Sequence, residues 1–551
     1  MQSYFETHKQ TLLDAVAASK SRDHWSAYPE VPSGKIYGET AKDDQKAAFD
    51  ALLGKPFDLG QPTNGNRVGA EVSPYGLELG VTYEDASVDQ LVEASKAAGE
   101  AWAKAGVEAR VGLALELLHR LNRNSFLMAN AVMHTSGQAF MMAFQAGGPH
   151  AQDRALEAVA YAYDAMAQIP KEVRWTKPQG KHDPIVLDKT FTIVPRGVAL
   201  AIGCSTFPTW NTYPGLFASL VCGNPVIVKP HPAAILPLAI TVQMGRKLLE
   251  EQGFDPNVLL LAVDTESQPK AMDLVNHRGV EIIDYTGSST FGRWVRQNAM
   301  GKQVYTEEAG VNAITIESTS SLRAMTGNIA FSLSLYSGQM CTAPQNIFIP
   351  KGGVETDQGH LSFDEISTAI ATALNKLLGD PERALAICGA IQNPLTIERV
   401  SDAQSLGQVV RPSSAIEGAD DVRTATPALI SVDAKDEEAY LTERFGPVAF
   451  LVACEDSADA LQRAARSAKE HGAITGALYS TDEAFIDTAE AAYAKAGAPL
   501  SVNLLGGIYV NQSAAFSDYH VTGANPAGNA SLTDSAYVAN RFRVATVRRQ
   551  V

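Results

Sequence analysis

Four short apolar runs, at residues 198–202, 226–228, 258–263 and 280–283, follow one another with helix-length segments between them. Continuous apolar runs of this length, bounded by turn residues, read as strands buried on both faces, and strands separated by helices cannot close into tight hairpins. The chain is thereby confined to a mostly parallel sheet covered by helices. A second series, at 314–316, 347–349 and 448–452, begins near Glu307 and continues to about Ala498. At 551 residues the chain is too long for one ordinary core, and two α/β domains with a cleft between them are the simplest outcome.

Ahead of the first strand the pattern is helical. Ser87 and Gln90 form a capping-box signature, and Val88, Leu91, Ser95, Ala98 and Trp102 recur at helical spacing. Further helices are expected through 113–121 and 155–166. The first eighty residues are rich in Pro, Gly and Asn, as at 60–66, and read as an extension that wraps a neighbouring domain with little core of its own. The last stretch, 539–551, alternates polar with apolar residues and makes an exposed edge strand unless something covers it.

Charge and cysteine content narrow the function. Forty-five basic against 61 acidic side chains give a formal charge of −16, which repels a nucleic-acid backbone and an anionic membrane surface. Cys204, Cys222, Cys341, Cys388 and Cys454 are widely spaced and outside any CxxC, so neither a disulfide framework nor a zinc site is indicated. The N-terminus lacks a basic region followed by an apolar run, and no segment has the length of apolar residues needed to span a bilayer. A cytoplasmic protein is expected. The eleven histidines form no HxH or HExxH arrangement, His231 lies between two prolines, and no metal is expected.

Cys341 lies in Ser337-Gly338-Gln339-Met340-Cys341-Thr342-Ala343-Pro344, and Glu307 comes earlier in Tyr305-Thr306-Glu307-Glu308-Ala309-Gly310. A thiol among small and polar residues leaves room for a substrate carbon, and a carboxylate brought near it by the fold could activate a thiolate or a water. Taken singly, each has a plainer reading: a cysteine is most often a small buried hydrophobe, and a Glu-Glu pair a solvated helix or turn. The chain has no GxGxxG. Gly287 to Gly292 follows a strand as GxxxxG; it is either a tight turn without a ligand or a place where the backbone approaches a pyrophosphate.

The Cys341 segment, this glycine turn, Glu443-Arg444-Phe445-Gly446-Pro447-Val448 and Gly223-Asn224-Pro225-Val226-Ile227-Val228-Lys229-Pro230 occur in an order that resembles the aldehyde dehydrogenase superfamily, from about Tyr83 to the C-terminus. Over the whole length, including the runs at 22–28 and 73–76, the chain resembles the phenylacetic acid degradation (PaaN) branch in its form without a C-terminal hydratase domain. The resemblance implies an extension over 1–82, a Rossmann-like dinucleotide-binding domain over 83–306, a catalytic domain over 307–505, and a C-terminal return with an oligomerisation strand over 506–551. It also implies a homodimer or larger homo-oligomer, the tail pairing with a partner subunit. Lys229 matches the lysine that bonds the adenosine ribose, Gly287, Ser288 and Gly292 the pyrophosphate turn, and Glu443 and Phe445 the pair that hold the nicotinamide ribose and ring. Pro232 stands where NAD-preferring relatives often carry a glutamate; losing that carboxylate permits NADP, which is favoured slightly over NAD.

The implied chemistry is covalent. Cys341 attacks an aldehyde carbon, hydride leaves to the nicotinamide, and Glu307 deprotonates the water that hydrolyses the thioester. Relatives that pass the acyl group to coenzyme A typically lack this base, so hydrolysis to an acid is expected. Glu308 would serve if the local register differed. Thr206, in Thr206-Phe207-Pro208, replaces the superfamily asparagine that donates to the oxyanion; Asn211 is a substitute, although a helix-surface or helix-start role is the plainer reading. Cys204, ending an apolar strand, reads as packing. The branch resemblance implies a coenzyme A-linked semialdehyde as substrate; an unrelated aldehyde, or a poorly catalytic homologue that binds cofactor or thioester, are the alternatives.

Overall fold

The computed structural model describes residues 4–308, 310–509, 514–520 and 534–551. The capping box forms: the Ser87 hydroxyl accepts the Gln90 N–H at 3.2 Å, and the Gln90 side chain accepts the Ser87 N–H at 2.9 Å. Two donors that the start of the helix Val88–Lys104 would otherwise strand are thereby satisfied. Leu91, Ser95, Ala98 and Trp102 turn inward, and the buried Trp102 indole donates to the Leu220 carbonyl at 3.0 Å. The helices Val107–Arg123, Ser125–Ser136 and Pro149–Ala167 follow.

Five parallel strands make the first sheet, in the order Gln303–Glu307, Val280–Thr286, Val198–Ile202, Val226–Lys229, Leu259–Leu261. The order reverses between Val198–Ile202 and Val280–Thr286, and an open α/β sheet offers a ligand crevice beyond the carboxyl ends of its strands at such a point. Glu307 and Lys229 are the last residues of their strands. The second sheet runs Gln408–Arg411, Ala428–Asp433, Val448–Cys454, Pro344–Pro350, Asn312–Ile316, Gly476–Tyr479, Leu500–Val502; only the first of these is antiparallel to its neighbour. The chain passes from one sheet to the other just after Glu307, which puts that carboxylate at the junction.

The N-terminal region has more core than its composition suggests. Tyr4–Ser21 is a helix whose Leu12 and Ala15 are fully buried, and Phe49, in the helix Ala41–Asp50, is buried as well. A Cβ at Gly112, in the helix Val107–Arg123, would stand 2.4 Å from the Phe5 backbone nitrogen, so this helix and Tyr4–Ser21 touch backbone to backbone. The buried face of Tyr4–Ser21 includes Ala15, Ala18 and Ser19, and such small residues leave a weak apolar signal.

At the other end, Phe542–Gln550 pairs antiparallel with His182–Pro195, which pairs in turn with Glu172–Gln179. The tail is thus an exposed edge strand that pairs along one side with its own chain. Ahead of it Arg541 is fully buried, its guanidinium 2.8 Å from Asp284 Oδ2 and 2.8 Å from Ser219 Oγ, with Tyr537 donating to Asp284 Oδ1 at 2.8 Å. No helix among the described residues is long and apolar enough to cross a membrane.

Candidate active site

Cys341 is delivered by a strained turn. After the helix Leu322–Ser334, Tyr336 and Ser337 adopt φ of 51° and 50°, and Gly338 one of 64°. Left-handed backbone in a non-glycine residue costs roughly 1 kcal/mol or more, and buried hydrogen bonds offset it here. The Tyr336 hydroxyl donates to the Ser136 carbonyl, Ser337 Oγ to Ala425 O at 2.9 Å, and Gln339 Nε2 to Ala390 O at 3.0 Å. Glycine is required at 338, because a Cβ there would stand 2.4 Å from the Gly446 carbonyl oxygen. Asn312 fixes the far side. Its amide donates to the carbonyls of Cys341 and Ala343, both at 2.8 Å, while its oxygen accepts the Ile474 and Thr475 N–H groups at 2.9 and 3.1 Å. Nothing in the motif spacing singles out this asparagine.

Glu307 is buried, and its Oε2 accepts the Asn211 amide at 3.2 Å. His520 completes the group: its Nε2 lies 3.5 Å from Glu307 Oε1 and 4.0 Å from Cys341 Sγ, and its ring stands edge-on to Trp210 at 4.7 Å. One ligating atom from each of Glu307, Cys341 and His520 falls within 4.8 Å of the others. Burial raises the Glu307 pKa, but the neighbouring His520 charge and hydrogen bonds with His520, Cys341 and Asn211 bring it below the usual carboxylate range. Burial, followed by the Glu307 charge, pushes the Cys341 thiol well up.

Three expectations change here. Glu308 is held by Arg296 at 2.8 Å, against the helix Ser289–Asn298, where a Cβ at Gly292 would lie 2.5 Å from the Glu308 carboxyl carbon. Gly292 therefore makes room for that carboxylate, and a Cβ at Gly287 would meet the Tyr285 hydroxyl at 2.4 Å, so both positions are closely packed. Thr206 is not among the residues lining the cavity at Cys341, and its carbonyl accepts Gln138 Nε2 at 2.8 Å. Asn211 is buried inside the helix Pro208–Val221 rather than lying on its surface, and it reaches both Glu307 and Cys204, whose thiol lies 3.6 Å from the Asn211 amide oxygen. Burial raises the Cys204 thiol to about 11.

Cys341 and His520 open into a cavity of about 680 Å³ walled by Trp25, Tyr28, Phe207, Trp210, Phe331 and Met340. The 24–30 run of the N-terminal region forms part of this wall. Asp153 ties it down, accepting Ser26 Oγ at 2.6 Å and the Ala27 N–H at 3.0 Å. Burial raises the Asp153 pKa to about 7, against the lowering effect of those hydrogen bonds. Arg22 bridges to Glu157 at 3.2 Å and to the Phe516 carbonyl at 3.0 Å, and lies 3.7 Å from the Tyr519 ring centre. These contacts lace the segment carrying His520 to the N-terminal run.

Of the residues expected to meet a dinucleotide, Lys229 and Ser288 lie at or just past strand ends, and Glu443 and Phe445 lie in the loop before Val448–Cys454. Lys229 is buried rather than a surface lysine, 2.7 Å from Asp264 and donating to the Pro230 carbonyl at 2.6 Å. Ser288 caps the helix Ser289–Asn298, its hydroxyl accepting the Phe291 N–H at 3.4 Å. Glu443 Oε1 accepts the Gly310 N–H at 3.1 Å; burial raises its pKa to about 7. Phe445 follows, its carbonyl accepting Arg399 at 2.5 Å. An ammonium, a helix start and a carboxylate are a donor and acceptor set that fits a pyrophosphate and two riboses.

The profile of the Aldehyde dehydrogenase family matches residues 77–530, and the chain belongs to that family. A crystal structure of an NAD-dependent aldehyde dehydrogenase from Burkholderia multivorans is 53% identical, with a TM-score of 0.98 over 100% of this chain and 99% of that one. An N-succinylglutamate 5-semialdehyde dehydrogenase of Burkholderia multivorans is 24% identical over 394 residues, 70% of this chain and 75% of its own length. A 1-pyrroline-5-carboxylate dehydrogenase from Thermus, solved with bound NAD, shares the fold at 18% identity and a TM-score of 0.73, over 96% of this chain and 99% of that one. The protein is thus an aldehyde dehydrogenase that uses NAD(P).

Proposed function

We propose that the chain oxidises an uncharged, largely apolar aldehyde to a carboxylic acid, with Cys341 as nucleophile and Glu307 as the base for hydrolysis. The approach of Glu307 to Cys341, which lines the cavity, carries this reading. The Cys341 thiolate adds to the aldehyde carbon and the carbonyl oxygen becomes an alkoxide. The Asn211 amide and the Cys341 N–H are the donors available to that oxygen, and a correctly aimed donor contributes about a hundredfold or more in rate. The dinucleotide, when bound, supplies the hydride acceptor. Lys229 and the start of the helix Ser289–Asn298 would hold its adenosine ribose and pyrophosphate, and Glu443 and Phe445 its nicotinamide end. Glu307 then takes a proton from water, whose oxygen attacks the thioester carbon and frees the sulfur.

Aromatic and methionine side chains make up much of the cavity wall, its acidic members are Glu30 and Asp153, and His24, His150 and His520 also line it; no lysine or arginine lines it among the described residues. A substrate bearing carboxylates, as the name N-succinylglutamate 5-semialdehyde implies, would meet like charge here. A second reading is a coenzyme A-linked semialdehyde of phenylacetate breakdown. In its favour, the 22–28 run that carries that resemblance supplies part of the cavity wall. For the dinucleotide we favour NAD. Pro232 removes one carboxylate, but Asp264 supplies another beside Lys229 and neutralises the cation a 2′-phosphate would need.

Single-turnover hydride formation with NAD and NADP separately, against neutral aromatic, anionic and coenzyme A-linked aldehydes, tests the reading. Turnover of neutral aromatic aldehydes with NAD is expected. Reduction confined to the linked semialdehyde would replace the first reading by the second, and reduction confined to anionic aldehydes would overturn both.

A further inference from the structure

We propose that His520 is the base that takes the Cys341 thiol proton, leaving Glu307 free to act on water; the inference deepens the reading above by dividing its two proton transfers between two residues. Three observations carry it. A single nitrogen, His520 Nε2, stands between Cys341 Sγ at 4.0 Å and Glu307 Oε1 at 3.5 Å. Oε2 of Glu307 is engaged by Asn211 at 3.2 Å, which leaves Oε1 as the oxygen turned toward the imidazole. The imidazole is itself buried and wedged edge-on against Trp210, so its direction is fixed.

The chemistry requires such a third group. A proton placed on Glu307 by the thiol would have to leave again before Glu307 could accept one from water. Transfer to His520 avoids this: the S–H bond breaks, its electron pair stays on sulfur, and the proton forms an N–H bond at Nε2. The resulting imidazolium lies between two anions, the thiolate and the Glu307 carboxylate, and offsets both. Imidazole is the side chain suited to holding a proton near neutral pH, and the lowered basicity of Glu307 makes it the poorer acceptor for a thiol that burial has made less acidic. From the packed elements, Glu307 and Cys341 face the ring directly, Arg154 lies beyond Trp210 at 5.3 Å from that ring's centre, Asp153 lines the same cavity, and Asp518 lies on the same segment as His520.

The test is the pH dependence of Cys341 alkylation by iodoacetamide, read by peptide mass spectrometry on the full-length protein, for wild type, His520→Gln and Glu307→Gln. Because it needs no aldehyde, it reports on His520 even if the proposed oxidation fails. At neutral pH, His520→Gln should react at least about tenfold more slowly than wild type, since one unit of thiol pKa is a tenfold change in thiolate. Its rate should recover at alkaline pH, and its hydride burst should follow the same profile. Glu307→Gln should keep a burst and lose thioester hydrolysis. An unchanged alkylation profile in folded His520→Gln would overturn the assignment. If that variant does not fold, the wild type still decides: thiolate ultraviolet absorbance present at neutral pH and lost on Cys341 alkylation supports the pair, and its appearance only at alkaline pH refutes it.

Discussion

Glu443 combines an acceptor role with a pKa raised to about 7. Ionised, it can accept a ribose hydroxyl, and binding that favours the ionised form tightens as the proton leaves. Dinucleotide affinity, followed by fluorescence titration, should therefore rise as pH increases through 7, and the rise should flatten in Glu443→Gln. Glu307 is expected to set the acid side of the hydrolysis step. Its pKa is lowered, so the base is present at neutral pH and is lost only as pH falls through that lowered value. Asn211→Ala removes a hydrogen bond to Glu307 and an amide donor at the cavity together; a loss of about a hundredfold in kcat with thermal stability nearly unchanged would fit the donor role. Cys341, Glu307, Lys229 and Glu443 could be singled out in the sequence because their neighbours resemble superfamily motifs. His520 could not, since it comes from a separate segment far along the chain and has no local spacing that marks it. Asn211 was visible but undervalued, because helical position alone does not reveal that the helix Pro208–Val221 is buried all round.

Elements were read well where local rules and tertiary packing agree. The apolar runs at 198–202 and 226–228 became central strands, and the capping box at Ser87 starts its helix. The helix Tyr4–Ser21 was missed because its buried face is built largely of alanine and serine. The hairpin Glu172–Gln179 with His182–Pro195 was missed because its strands are half-exposed or exposed throughout and show no buried face. The C-terminal strand depends on Arg541, whose burial costs desolvation that Asp284 offsets. Arg541→Met leaves Asp284 without its counter-ion, and breaking a buried pair from one side costs roughly 3–5 kcal/mol. Urea denaturation should show that loss; a change under about 1 kcal/mol would mean that the pair is not what anchors the return.

On the scale of the whole molecule, the two sheets meet where the chain leaves Glu307, and the N-terminal run and the segment carrying His520 close over that junction. The three-stranded sheet formed by the tail exposes Val173 and Val544 on one face and Val194 and Val547 on the other, and its edge strand Phe542–Gln550 pairs on one side only among the described residues. Such a surface invites a second copy, and Val544→Lys with Val547→Lys should shift the protein toward monomer in analytical ultracentrifugation. An unchanged sedimentation profile would exclude this sheet as the contact. The central claim is a two-step reaction in which Cys341 carries the acyl group and Glu307 releases it. Its most direct test is intact-protein mass spectrometry of Glu307→Gln after mixing with dinucleotide and an oxidisable aldehyde: the account predicts one equivalent of reduced dinucleotide and one acyl group on the Cys341 peptide, persisting for many wild-type turnovers. Full steady turnover with no acyl group on Cys341 would contradict it.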